Sequence, residues 1–130
     1  MKQDTTLHES QGCRILEYPP KGSPLGNASS SLEIISAAYS QRAELVAIPV
    51  ERLGDEFFQL RNGIAGEILQ KFVTYHLRIA IVGDIASLSA ASKALHDFVV
   101  ECNRGSDVCF VRDMGELNDR LRQKPEDGNI

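Results

Sequence analysis

The residues able to do chemistry cluster at the ends of apolar runs and along helical segments. Asp84 follows Gly83 directly after the run Leu77-Arg78-Ile79-Ala80-Ile81-Val82. An acid at the carboxyl end of a buried parallel strand stands where ligands gather in open α/β sheets. The same acid can instead close a turn by accepting backbone N–H groups. Glu67, Gln70 and Lys71 share one arc of a helical segment with Gly63 and Gly66. Each glycine costs a helix about 1 kcal/mol relative to alanine. Close approach of a partner or ligand would offset that cost; the plainer alternative is a solvated face with one Glu67–Lys71 pair. Ser92 and Lys93 open a further helical segment. Its free amide groups could attract an anion, or Ser92 simply caps it. Arg104 closes that segment, as a partner contact or as a cation suited to the helix dipole.

Other chemistries lack their signatures. His8, His76 and His96 show no H-x-x-x-H spacing, so no metal site is expected. Cys13, Cys102 and Cys109 are odd in number and include no C-x-x-C pair, so they read as reduced thiols. There is no G-x-S-x-G elbow. His96 and Asp97 are neighbours that point about 100° apart on a helix and form no dyad. No catalytic residue and no cofactor is expected, and the balance is against an enzyme. The formal net charge of −4 argues against broad nucleic-acid binding. No apolar run approaches the roughly 20 residues that span a bilayer, so no membrane association is expected. The first residues, Met1-Lys2-Gln3-Asp4-Thr5-Thr6, have no apolar core, and a cytoplasmic location follows by default.

The elements that must position these residues alternate in type. Segments 5–8 and 13–18 read as a hairpin around Ser10-Gln11-Gly12, stopped by Pro19-Pro20. Residues 19–31 are rich in Pro, Gly and Ser and read as a mobile loop. A first helix is expected from Ser30, with Ser30 and Glu33 as a capping box and Leu32, Ile35 and Tyr39 on one face. Residues 44–50 form a short apolar strand, and 51–61 an irregular connection. A second helix spans about 62–76, with Ile64, Ala65, Ile68, Leu69, Phe72 and Tyr75 inward. After the strand at 77–82 comes a third helix from about Ala91 to Asn103, ended by Gly105 as a left-handed residue. A last strand covers 107–111, and Asp113 and Glu116 cap a final helix with Leu117 and Leu121. The fold class is α/β: four helices around a four- to five-stranded, mostly parallel sheet with an N-terminal hairpin. One domain covers 1–123, and residues 124–130 read as a disordered tail.

Three segments together carry a resemblance: 56–72 (EFFQLRNGIAGEILQKF), 80–84 (AIVGD) and 92–105, with SKALHDF leading to ECNRG. They resemble the bacterial family called domain of unknown function 4180, over about Leu32 to Leu121. That family implies no activity, substrate or partner. The order of elements is also similar to STAS domains, which place an Asp-Ser-Ser-Gly turn ahead of a helix. The equivalent turn here is Leu60-Arg61-Asn62-Gly63, which puts Asn62 at the position that accepts phosphate in some STAS domains. Asn cannot be phosphorylated, so the resemblance implies the scaffold without that switch.

The functional expectation is a non-enzymatic regulatory or binding module that acts through contacts with another protein or as a homodimer. Its surface would join Glu67, Gln70 and Lys71 to the strand ends near Asp84. The alternative is a sensor of a small anionic ligand or nucleotide, using Asp84, Lys93 and helix N-termini.

Overall fold

The computed structural model of the protein describes residues 5–22, 28–59 and 63–122. β1 (Thr6–Ser10) and β2 (Cys13–Glu17) form an antiparallel hairpin in which Ser10 faces Cys13. Gln11 and Gly12 make the turn, with φ of 52° and 80°. Two successive positive φ values give the tight turn whose twist matches that of its strands.

β3 (Leu45–Pro49), β4 (Arg78–Val82) and β5 (Val108–Val111) then add in parallel, giving one five-stranded sheet in the order β1-β2-β3-β4-β5. Each new strand joins at the same growing edge. Right-handed crossovers therefore carry the connecting helices over one face. These are α1 (Ala28–Ser40), α2 (Ile64–Thr74), α3 (Ala86–Ala91) and α4 (Lys93–Arg104). The buried side chains follow. Val46, Ile48, Ile79, Ile81 and Phe110 meet Ile34, Ile35 and Ala38 of α1 and Ile68, Leu69 and Phe72 of α2, with Phe98 and Val99 of α4 packed alongside.

The alternate residues of the same strands point the other way and are smaller. Cys13, Ile15, Leu45, Ala47, Ala80, Cys109 and Val111 form a second core with Leu117. Leu117 belongs to α5 (Met114–Arg122), the only helix packed there among the described residues. The expected cap is present: the Glu116 N–H donates to Asp113 Oδ1 at 2.8 Å, and the Arg112 N–H donates to Glu116 Oε1 at 2.7 Å. Ser10 on β1 donates to Asn118 Oδ1 at 2.5 Å, while Arg120 donates to the carbonyls of Asn103 and Gly105 at 2.8 Å. These bonds tie α5 to both margins of the sheet.

Four expectations need correction. The third helix is two helices, broken at Ser92, whose backbone is extended (φ −142°, ψ 111°), so the described residues hold five α-helices rather than four. Ala91 and Ala94 are consequently exposed instead of inward. On α1, which already includes Ala28, the inward face is Ser31, Ile34, Ile35 and Ala38; Leu32 and Tyr39 are exposed. Tyr75 is likewise exposed, because α2 ends at Thr74 before its ring can turn inward. Gly105 is not left-handed: its φ is −94°, and its N–H reaches only the Cys102 carbonyl.

Because α5 is the one described helix that seals the second core, Leu117→Ala should lower unfolding stability by about 2–5 kcal/mol in denaturant titration, the range for a buried leucine. Thiol labelling gives a second check. Burial pushes the Cys102 and Cys109 thiols up, which suppresses the reactive thiolate at neutral pH. The native protein should label slowly, at half-buried Cys102 first, and Leu117→Ala should accelerate labelling of Cys13 and Cys109.

Candidate functional site

The structure separates the residues singled out from the sequence. Glu67 and Gln70 lie exposed on the outer face of α2, and Lys71 is half-buried beside them. Gln70 Nε2 donates to Thr74 Oγ1 at 3.3 Å. Glu67 and Lys71 make no ion pair with each other, although their spacing allows one. Gly63 caps α2 in the left-handed region, at φ 77°. Among the described residues a Cβ at Gly63 or Gly66 would meet nothing within 4 Å, so none of them calls for glycine at Gly66. Asn62 lies outside the described residues.

Asp84 does backbone work. Its Oδ1 accepts the Ala86 N–H at 2.9 Å, closing the turn into α3, and its side chain is exposed. Ser92 Oγ accepts the Leu95 N–H at 3.2 Å and caps α4. Lys93 Nζ donates to Asp97 Oδ2 at 2.8 Å in full exposure. That hydrogen bond holds the Asp97 carboxyl below its ordinary range and the Lys93 ammonium above its own. An exposed pair one turn apart is a surface feature. Arg104 sits 3.4 Å from Glu101, also exposed. Asp84, Ser92, Lys93 and Arg104 thus serve helix ends and surface pairs, and no hydrogen bond or ion pair among the described residues joins them into one site.

What the structure does gather lies at the carboxyl ends of the parallel strands. A cleft of about 450 Å³ opens there between Glu17 and Tyr18 at the end of β2, Pro49 and Glu51 at the end of β3, Gly83 after β4, and Arg112 and Asp113 after β5. Thr6, Pro19, Pro20, Val82 and Met114 complete its walls. Gly83 is required here: at φ 150° an added Cβ would stand 2.5 Å from Val50 Cγ2. Beneath one wall, Arg52 is only 1% exposed. Its Nη1 donates to the Pro19 carbonyl at 3.0 Å, and its guanidinium stands 5.7 Å from the centre of the Tyr18 ring. Gly22 lies so close that an added Cβ would stand 2.7 Å from Arg52 Cζ. Burial pushes the Tyr18 phenol up, and the Arg52 charge opposes that rise.

The charged lining is Glu17, Glu51 and Asp113 against Arg112. Part of it is engaged locally: Glu17 is 3.1 Å from His8 Nε2, and Arg112 is 3.6 Å from Glu116. The excess of carboxylates suits a cation better than an anion. Sequence reasoning reached this edge only through Asp84, which does not line the cleft. The missed signal was positional, since each lining acid is the last residue of a strand or falls two residues beyond its end. Among the described residues no group of three His, Cys, Asp or Glu side chains is arranged to hold a metal ion. No described helix is long and apolar enough to cross a membrane.

Comparison with known proteins adds one finding. Neither a curated protein nor a solved structure matches the chain. The family model described as "Domain of unknown function (DUF4180)" matches residues 10–121, which run from the end of β1 to the last turn of α5. The match covers both cores and the strand edges that form the cleft, and the chain belongs to the DUF4180 family.

Proposed function

We propose that this chain is a regulatory binding module that acts through protein contacts on the outer face of α1 and α2, and is not an enzyme. One observation carries the reading. Three of the large exposed apolar side chains stand on α1 or at the end of α2: Leu32 at 43%, Tyr39 at 53% and Tyr75 at 41%. Gly66 and Glu67 are exposed on α2 as well. The Tyr39 hydroxyl donates to the Tyr75 carbonyl, which fixes α1 against the end of α2. Exposed aromatic side chains on adjacent helices fit a protein interface, where tyrosines supply much of the contact energy. The likeness of architecture to STAS domains belongs to the same proposal, as does a cytoplasmic location, which the three free thiols favour.

Leu32→Glu and Glu67→Lys alter exposed positions and should change stability by no more than about 0.5 kcal/mol. Proteins captured from lysate by the wild-type chain and identified by mass spectrometry should be lost with both variants. An unchanged set would sink the docking reading.

The cleft favours a second reading, a small-ligand site. Its placement at the carboxyl ends of four parallel-running strands supports that reading. Its lining shifts the ligand class from the anion expected from sequence to an organic cation. In a thermal-shift panel, polyamines or guanidinium compounds at about 100 times their dissociation constant should stabilise the fold by about 2.7 kcal/mol. Nucleotides should not, and Glu51→Gln should abolish the shift. A nucleotide response with silence from every cation would overturn this assignment.

A further inference from the structure

We infer that the partner on the α2 face is a second copy of this chain, docked with the two α2 helices antiparallel about a twofold axis. The inference rests on the docking reading above and adds the identity of the partner. A twofold interface must be complementary to itself, so that each contact occurs twice. The α2 surface meets that condition. Glu67 and Lys71 are one turn apart and lie about 40° from each other around the helix axis. They bracket the middle of α2, and neither charge is spent on the other. Antiparallel pairing centred between them sets Glu67 against Lys71 of the second copy, twice.

The same register carries outwards. Gly63 caps the start of α2 and Tyr75 its end, so this register brings the two helix ends level, with Gly63 and Tyr75 on opposite flanks of the seam. Tyr75 is exposed at that flank. An eleven-residue helix alone is about 16 Å long. A stable interface covers about 800 Å² on each partner, more than one such helix supplies. Tyr39 widens the patch on the α1 side, where its hydroxyl already meets the Tyr75 carbonyl.

The test uses charge reversal on the full chain, with mass measured by light scattering across a range of concentration. The wild-type chain should be a dimer. Glu67→Lys sets lysine against lysine, and Lys71→Glu sets glutamate against glutamate. Each should weaken association by about tenfold or more, since like charges face each other at both symmetric contacts. The double variant Glu67→Lys/Lys71→Glu restores opposite charges and should recover the dimer. A wild-type chain that stays monomeric, or a double variant no better than the single ones, overturns the inference. A different protein on this face gives the opposite pattern in the capture experiment, because the double reversal then loses it along with the single ones.

Discussion

Each strand from β2 to β5 joins the sheet at the same advancing edge, and the right-handedness of β-α-β connections then leaves the helices no choice of side. α1, α2 and the α3–α4 pair fall on one face, and the opposite face depends on α5. This asymmetry sets the side-chain sizes. The helix-rich face takes Ile, Val, Leu and Phe from the strands, while the α5 face includes Ala47, Ala80, Cys13 and Cys109. Small residues let one short helix approach closely enough to bury Leu117 completely, at 0% exposure. The same asymmetry leaves the outer surfaces of α1 and α2 uncovered, and the exposed tyrosines stand there.

The carboxyl edge of the sheet follows from a different constraint, the burial of one arginine. Taking a guanidinium out of water is unfavourable unless hydrogen bonds and a favourable field compensate. Arg52 finds the Pro19 carbonyl and the face of Tyr18, and Gly22 leaves room for the guanidinium. The chain after β2 is thereby held against the chain after β3. Those two segments form one side of the cleft, so its shape is tied to the core rather than to a free loop.

Much of the fold was legible in the sequence because its signals are local. The apolar runs around Ala47, Ala80 and Cys109 became parallel strands, and Asp113 and Glu116 formed the cap that their spacing implies. The misreadings share a cause as well. Ser92 is acceptable inside a helix or as a cap, and only its extended backbone decides between them. Leu32 and Tyr39 lie on the flank of α1, where helical spacing alone does not tell core from surface. Arg52 carries no local mark of burial, and Pro19 and Tyr18, which it meets, lie some thirty residues earlier in the chain. The cleft was illegible for the same reason: its walls come from the ends of separate strands. The residues proposed for function were legible as exposed polar groups, but Asp84 and Ser92 spend their side chains on backbone amides.

The sequential strand order also bears on how the chain acquires its structure during synthesis. Each strand of the sheet pairs with the one made just before it, so the sheet can lengthen in step with emergence from the ribosome, without waiting for distant segments. The helix-covered face closes progressively in this way. The other face does not, because α5 follows every strand. Until α5 has been translated, Ile15, Leu45, Ala47, Ala80 and Val111 form an apolar surface that no other described helix covers. A nascent chain that has emerged through β5 but not α5 would hold every strand of the sheet with that side bare, the kind of surface that chaperones bind and that aggregates nucleate on.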